Sequence, residues 1–395
     1  MAMFEAALTD VIAIDAVTDT VHFYNAPGSG RKDNHLTAAC SCQNFGEEFM
    51  EKFSRILKTY RQKNPAAAMS KVSLVLPDHL FLTDTLDIPA VGKKAMESSL
   101  EVAIGAMYKN KSDLKYHTYP LAQNKQFATF GLVGVRKDLL QGLTNICAAN
   151  QISVQNITFA ANAMVNGAMT LNPKLKTGTF VLLDIQESNA RLALVNKGRT
   201  VGALSLPFGY GIFYKTRLAA EDLLFDHTTG ELLVLNAKEK AKAKQLTMMG
   251  EEVLADPDDV QKNAPVPQGQ DDPEYEAEEG KRGGRKLPKF MLRETPTDRE
   301  GFIYENFRIF MKWTLESIAA NPSVAALGEL DGVYVNMPRE YMFLFGKVNA
   351  EEGENGVKFL PLIGAAGTEA NANAARELEL FGGLYVKQFN KINNF

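Results

Sequence analysis

Two segments of the chain repeat one pattern. Val11-Ile12-Ala13-Ile14-Asp15 is followed by Thr20-Val21-His22-Phe23, and Phe180-Val181-Leu182-Leu183-Asp184 by Ala190-Arg191-Leu192-Ala193-Leu194-Val195. Each is a buried-looking strand that ends on an aspartate, crosses a short polar turn and resumes as a second strand. A chain that does this twice, well separated in sequence, is expected to build two related lobes.

Composition narrows the field. At 395 residues there is room for two to four domains or subdomains, and alternating helix and strand signals favour an α/β fold. The net charge of −4, with no concentrated basic face, argues against a nucleic-acid protein. Cys40, Cys42 and Cys147 are too few and too unevenly spaced for a disulfide framework, so a reducing compartment is the simpler reading. A zinc site at Cys40-Ser41-Cys42 would need further ligands that no spaced Cys or His pair supplies, and the five histidines show no metal or catalytic pairing in sequence. The amino terminus does not read as a secretory signal, and no stretch approaches the roughly 20 apolar residues that span a bilayer.

Along the chain, Leu36 to Cys40 reads as a third strand, followed by a helix with Phe45, Phe49, Phe53, Ile56, Leu57 and Tyr60 on one face, ended by Asn64-Pro65. A strand from Lys71 to Leu76 stops at Pro77. Residues 78–150 then read as an inserted α/β subdomain: a strand from Leu80 to Leu86, a helix from Ala90 to Met107 with Met96, Leu100, Ile104 and Met107 on one face, a strand from Phe127 to Val135, and a helix through Leu139, Leu140, Leu143 and Ile146. A strand at Ile152 to Ile157 and a helix at Phe159 to Met169 return to the first lobe, which is expected to comprise 1–77 plus 151–176. The second lobe, 177–395, opens with the Phe180 hairpin, turns at Asn196-Lys197-Gly198-Arg199 into a strand from Thr200 to Leu206, and continues into a helix carrying Phe213, Leu218, Leu223 and Leu224. Residues 250–288 are acidic and proline-bearing and read as a disordered insert. Beyond it come a helix from Gly301 to Ile318, a strand from Gly332 to Asn336, a strand-to-helix junction at Phe359 to Gly367, and an amphipathic helix with Leu380, Phe381, Leu384, Tyr385, Phe389 and Ile392.

This order of parts resembles the actin-like ATPase superfamily: a two-lobed, ribonuclease H-like α/β fold with an inserted subdomain in the first lobe. Within it the chain is most similar to the PilM family of the type IV pilus inner-membrane platform, with FtsA as a relative. Three stretches carry the resemblance: Val75-Leu76-Pro77-Asp78-His79-Leu80 with Leu86-Asp87-Ile88-Pro89; Leu183-Asp184 with Ser205-Leu206-Pro207-Phe208-Gly209; and Gly301 to Ile318 with Gly332 to Asn336 and Pro361 to Gly367. The resemblance implies nucleotide-site positions at Asp15, Thr18, Asp184, Gln186, Ser188 and Asn336. It also implies a groove for a PilN-like cytoplasmic tail beside the inserted subdomain, around Leu80, Leu82, Leu86 and Ile88.

The family's phosphate turns carry Asp-x-Gly, because glycine lets the backbone approach the oxygens. Here Val17 and Gln186 stand in those places, and Asn336-Met337-Pro338 replaces the family's Gly-Gly adenosine turn. Asp15 and Asp184 could each orient a magnesium-bound water or simply cap a turn. Gly28-Ser29-Gly30 and Gly280 to Gly284 lack the lysine-hydroxyl ending of a P-loop. The expectation is a non-catalytic or weakly nucleotide-binding scaffold in the cytoplasm, peripheral to the membrane through a partner, with self-association allowed. No cofactor is expected; ATP with magnesium is the alternative. The competing readings are a functional ATPase and an FtsA-like filament touching the membrane through the last helix, where Lys387 and Lys391 flank apolar residues.

Overall fold

The computed structural model describes residues 8–26, 35–42, 45–63, 71–108, 110–187, 189–206, 209–211, 223–226, 231–234, 330–338, 359–363 and 374–385, with isolated positions between 303 and 344. The expectations for 28–30, 188, 207–208, 250–288, 364–367 and 386–395 lie outside the described residues. Two units divide the chain, one of residues 1–205 and 321–395, the other of residues 206–320.

The first unit holds two five-stranded sheets built to one plan. In the first, β1 (Asp10–Asp15), β2 (Thr20–Asn25) and β3 (His35–Ala39) form an antiparallel meander. β4 (Val72–Leu76) and β8 (Val154–Phe159) then add in parallel, giving the order β3-β2-β1-β4-β8. In the second, β9 (Thr179–Ile185), β10 (Ala190–Asn196) and β11 (Arg199–Leu206) repeat the meander. β14 (Val333–Asn336) and β15 (Phe359–Pro361) repeat the parallel additions, giving β11-β10-β9-β14-β15. The repeated strand-aspartate pattern is thus the central hairpin of each sheet. Lys197 and Gly198, with φ of 49° and 75°, make the tight turn between β10 and β11 that Asn-Lys-Gly predicts.

The first sheet is covered on both faces, which is why β1 is apolar between its two terminal aspartates and β4 apolar apart from Ser73. On one side lies α1 (Glu47–Lys63), whose buried Phe49, Phe53, Leu57 and Tyr60 follow the helical period, Tyr60 stacking on Phe23 at 3.9 Å. On the other side lie α4 (Ala160–Leu171) and α5 (Leu378–Gly383). Although α5 comes from the far end of the chain, its Leu380 and Phe381, with Leu384 and Tyr385 beyond it, share a core with Val11, Ala13, Tyr24, Val75 and Ala163. These side chains were also candidates for a membrane-facing stripe; buried here, they cannot form one. The two helices cross so closely at Gly382 that a Cβ there would stand 1.8 Å from the Ala163 carbonyl oxygen and 2.5 Å from the Gly167 amide nitrogen. Only glycine permits that approach.

Between β4 and β8 the chain builds a separate three-stranded antiparallel sheet, β5 (Phe81–Pro89), β7 (Phe127–Arg136) and β6 (Leu114–Gln123), in the order β5-β7-β6. α2 (Lys93–Met107) covers one face through Leu100 and Ile104 against Leu86, Ile88, Ala128 and Leu132. Met107, expected on that apolar face, is instead 46% exposed. The helix ends there, and Tyr108, one residue on, packs against the core in its place. α3 (Lys137–Ala149) follows β7.

Two further expectations are corrected. β6 has no counterpart in the sequence reading, because Pro120 and a register shift between Pro120 and Ala122 break its alternation; an edge strand tolerates both. Leu223 and Leu224, expected in a helix, lie in β12 (Leu223–Asp226), which pairs antiparallel with β13 (Glu231–Val234). Two short apolar runs separated by His227-Thr228-Thr229-Gly230 are a hairpin signal, and a three-residue run cannot distinguish helix from strand by period.

Candidate functional site

The two central hairpins place Asp15 at the last position of β1 and Asp184 at the position before the last of β9. Their surroundings differ. Asp184 is 4% exposed; its Oδ1 accepts hydrogen bonds from Gln186 Nε2 at 2.8 Å and from Asn336 Nδ2 at 2.6 Å. Asn336 stands directly across the parallel β9–β14 pair from Asp184 and also donates to the Ala375 carbonyl at 2.7 Å. Burial pushes the Asp184 carboxyl up from its ordinary value; the two amides and the more distant Arg191 oppose that without overcoming it.

Asp15 has a cation. Arg191, in register opposite Asp184 on β10, extends its guanidinium to Asp15 Oδ1 at 3.3 Å and to Glu379 Oε2 on α5. All three side chains are 12–13% exposed. Burial alone would raise the Asp15 pKa, but Arg191, the Val17 amide (2.8 Å to Oδ1), the Thr18 hydroxyl and His22 together hold it below the ordinary carboxylate range. Asp78, just past β4, accepts the Ala161 amide at 2.8 Å and so caps the start of α4; burial raises its pKa. Three aspartates and Glu379 therefore surround one guanidinium.

The reason for the asymmetry lies in one register position. Extending the β1–β4 pairing from Ala13↔Val75 by two residues puts Pro77 opposite Asp15, where the second sheet has Asn336 opposite Asp184. Proline has no side-chain donor, so Asp15 takes its partner from the other sheet.

The remaining candidate positions fall as follows. Thr18 is exposed at the first turn, its hydroxyl 2.6 Å from that of Thr20. Gln186 folds back on Asp184, and its backbone amide donates to the Asn189 carbonyl at 2.9 Å. Ser188 lies outside the described residues. Leu86 and Ile88 are core residues, 4% and 2% exposed, facing α2; Leu80 and Leu82 are half-buried. Among the described residues, no group of three or more His, Cys, Asp and Glu side chains is placed to hold a metal ion, and no helix is long and apolar enough to cross a membrane. The three cysteines are free and buried, and burial pushes the Cys147 thiol up to about 12.

Sequence reasoning missed Arg191, Glu379 and a histidine pair. His22 on β2 and His35 on β3 are hydrogen-bonded, Nδ1 to Nε2, at 2.9 Å, and His35 Nδ1 meets Glu377 Oε1 at 2.5 Å. The only signal in sequence was that an arginine and a histidine interrupt the otherwise apolar second strands of the hairpins.

No protein-family model matches the sequence, and neither does any curated protein sequence. Among solved structures the chain is similar to one in a PilM-PilN type IV pilus biogenesis complex, with 11% identity, a TM-score of 0.51, and coverage of 98% of this chain and 100% of that one. It is more distantly similar to the ethanolamine utilization protein EutJ from Carboxydothermus hydrogenoformans (9% identity, TM-score 0.38, 97% and 91% covered). MreB5 of Spiroplasma citri bound to AMPPNP gives 12% identity, a TM-score of 0.37 and 96% coverage of both chains. The fold is actin-like: two sheets of one strand order, with an additional three-stranded sheet inserted in the first.

Proposed function

We infer that this chain is an actin-like binding platform, not a working ATPase, and that its ligand is a short cytoplasmic tail of a membrane partner comparable to PilN. The observation that carries the reading is Arg191. In an actin-like ATPase the two hairpins converge on phosphate and magnesium; here the charge between them is supplied from within, by a guanidinium bound to Asp15 and Glu379. A magnesium nucleotide would have to displace a nearly buried ion pair, and Val17 and Gln186 occupy the places where glycine would admit phosphate. One observation favours the ATPase reading: Asp15 is held ionised at a strand end, as a magnesium-orienting carboxylate must be.

In this reading residues 1–77 with 151–176, and 177–395, are the two lobes, and 78–150 is the subdomain that receives the partner. β5 is an edge strand of its sheet, the geometry to which an extended peptide adds, with half-buried Leu80 just before it and half-buried Leu82 within it. The protein would then work at the cytoplasmic face of a membrane, held there by its partner.

Calorimetry with magnesium-ATP tests the first half: no saturable heat is expected at millimolar nucleotide. Saturable binding that weakens in Asp15→Asn and Asp184→Asn would establish the ATPase reading instead. For the second half, a PilN-like tail peptide should be captured by the full chain and lost with Leu82→Arg; capture indifferent to that change would move the groove elsewhere.

A further inference from the structure

The inserted subdomain carries an apolar tip set among lysines. Five large apolar side chains are exposed among the described residues, and only Phe127, at 51%, is aromatic; Val91 is 45% exposed. Two loops bring them to one end of the three-stranded sheet. Phe127 opens β7 directly across from Pro89, the last residue of β5, and the Ala90 amide donates to the Gln126 carbonyl at 2.8 Å, joining the loops. Ile88 and Ala128 face α2, so alternation turns Pro89 and Phe127 to the face that α2 leaves open. The hairpin turn is fixed from within: Asn124 Oδ1 accepts the Gln126 and Phe127 amides at 2.8 and 2.7 Å, and the Phe127 carbonyl accepts the Asn124 amide at 2.9 Å. The Phe127 ring takes no part in these bonds.

The charge around the tip has one sign. Lys93 and Lys94 open α2 and Lys125 stands in the hairpin turn, while no Asp or Glu occurs from 88 to 96 or from 114 to 137. The nearest carboxylates in sequence are Asp87, bound by the Thr129 hydroxyl at 2.5 Å, and Glu97, one turn into α2. Lysines at the start of a helix oppose its dipole, and α2 has neither an acidic residue in its first turn nor a side-chain cap at Gly92. α1 shows the favourable arrangement, with Glu47 and Glu48 in its first turn and Arg61 and Lys63 in its last. α2 thus forgoes local helix stability and presents a positive end.

We propose that this tip rests on an anionic lipid surface, with Phe127, Val91 and Pro89 entering the headgroup layer and Lys94 and Lys125 meeting the lipid phosphates. Exposed apolar side chains flanked by lysines are the pattern that lies in a membrane interface. A protein partner is less well matched: three apolar side chains on two loops cover far less than the roughly 800 Å² that each partner of a stable complex buries. The contact is weak and reversible alone, since stable attachment takes two signals. If the chain is the platform proposed above, its partner's tail supplies the other signal; the lipid contact itself needs no partner.

Co-sedimentation of the full chain with protein-free vesicles tests the contact. At millimolar accessible lipid, the chain should bind mixed phosphatidylglycerol and phosphatidylcholine vesicles but not phosphatidylcholine alone, and the binding should weaken as salt is raised. Phe127→Ser should lower the affinity about tenfold or more, and Lys94→Gln and Lys125→Gln about fivefold each. All three positions are exposed, so the melting temperature should not move. Val102→Ser, at a still more exposed apolar position on α2 (72%), should leave binding unchanged. No binding to anionic vesicles, equal binding to neutral ones, or an affinity unmoved by Phe127→Ser and Lys125→Gln would overturn the proposal. Tip variants that keep vesicle binding but lose capture of the PilN-like tail would make the tip a protein contact and overturn it as well.

Discussion

The two hairpins have the same topology and an aspartate near the end of the first strand, Asp15 in the pair that closes its turn and Asp184 one residue before it, yet one aspartate is an ion in a charged network and the other a buried carboxyl held by amides. Asp15 meets Arg191, while Asp184 meets Asn336 and Gln186. The adjacent parallel strand is followed by Pro77 in one sheet and ends on Asn336 in the other. Likeness of topology therefore does not carry likeness of chemistry.

The largest test of that contrast is Arg191→Met, which keeps the side chain's bulk and removes the cation. Asp15 and Glu379 would be left unpaired in a nearly buried site, and stability in chemical denaturation should fall by about 4 kcal/mol. A loss below about 1 kcal/mol would show that solvent already screens the network.

Next is Gly382→Ala, which leaves both hairpins untouched and separates α4 from α5. With a backbone oxygen 1.8 Å from the new Cβ the crossing must open, at a cost of about 3 kcal/mol. If Glu379 holds Arg191 in place, the variant should also weaken the Asp15 ion pair, visible as an upward move of the Asp15 carboxyl titration. An unchanged Asp15 would separate the helix crossing from the first hairpin.

The smallest effect has the opposite sign. Asp184→Asn keeps an oxygen for both amide donors and removes the charge that burial disfavours, so the variant should melt higher than wild type at pH 7. The sign follows from linkage. A raised carboxyl pKa costs stability as pH climbs from the unfolded value of 3.8 through the folded one, so the gain should vanish toward acid and level off above the folded value. Asp15, with a lowered pKa, behaves inversely. Its contribution is complete above 3.8 and is lost as pH falls through its folded value, so Asp15→Asn should destabilise most at neutral pH. If both asparagine variants shift in the same direction, the two hairpins are chemically alike and the contrast fails.

Much of this molecule was legible in the chain. The strand-aspartate-turn-strand repeat gave both central hairpins, the spacing of Phe49, Phe53, Leu57 and Tyr60 gave α1, and Asn196-Lys197-Gly198 gave the turn into β11, because each signal is local. β6 and the Leu223 hairpin were not legible, since a proline, a register shift and short apolar runs erase the period that identifies a strand. Of the candidate site, sequence located Asp15, Asp184 and Asn336 at strand ends.

What sequence could not decide is what those groups touch. Arg191 and Asp15 are 176 residues apart, Arg191 and Glu379 are 188, and His35 and Glu377 are 342. No local period or spacing encodes such pairings. The chain by itself determined two related sheets, because alternation and turn chemistry act over a few residues. Only the tertiary structure decided that an arginine from one hairpin closes over the aspartate of the other, and that His22 and His35 reach Glu377 near the far end of the chain. Burial and hydrogen-bond satisfaction are properties of the assembled core.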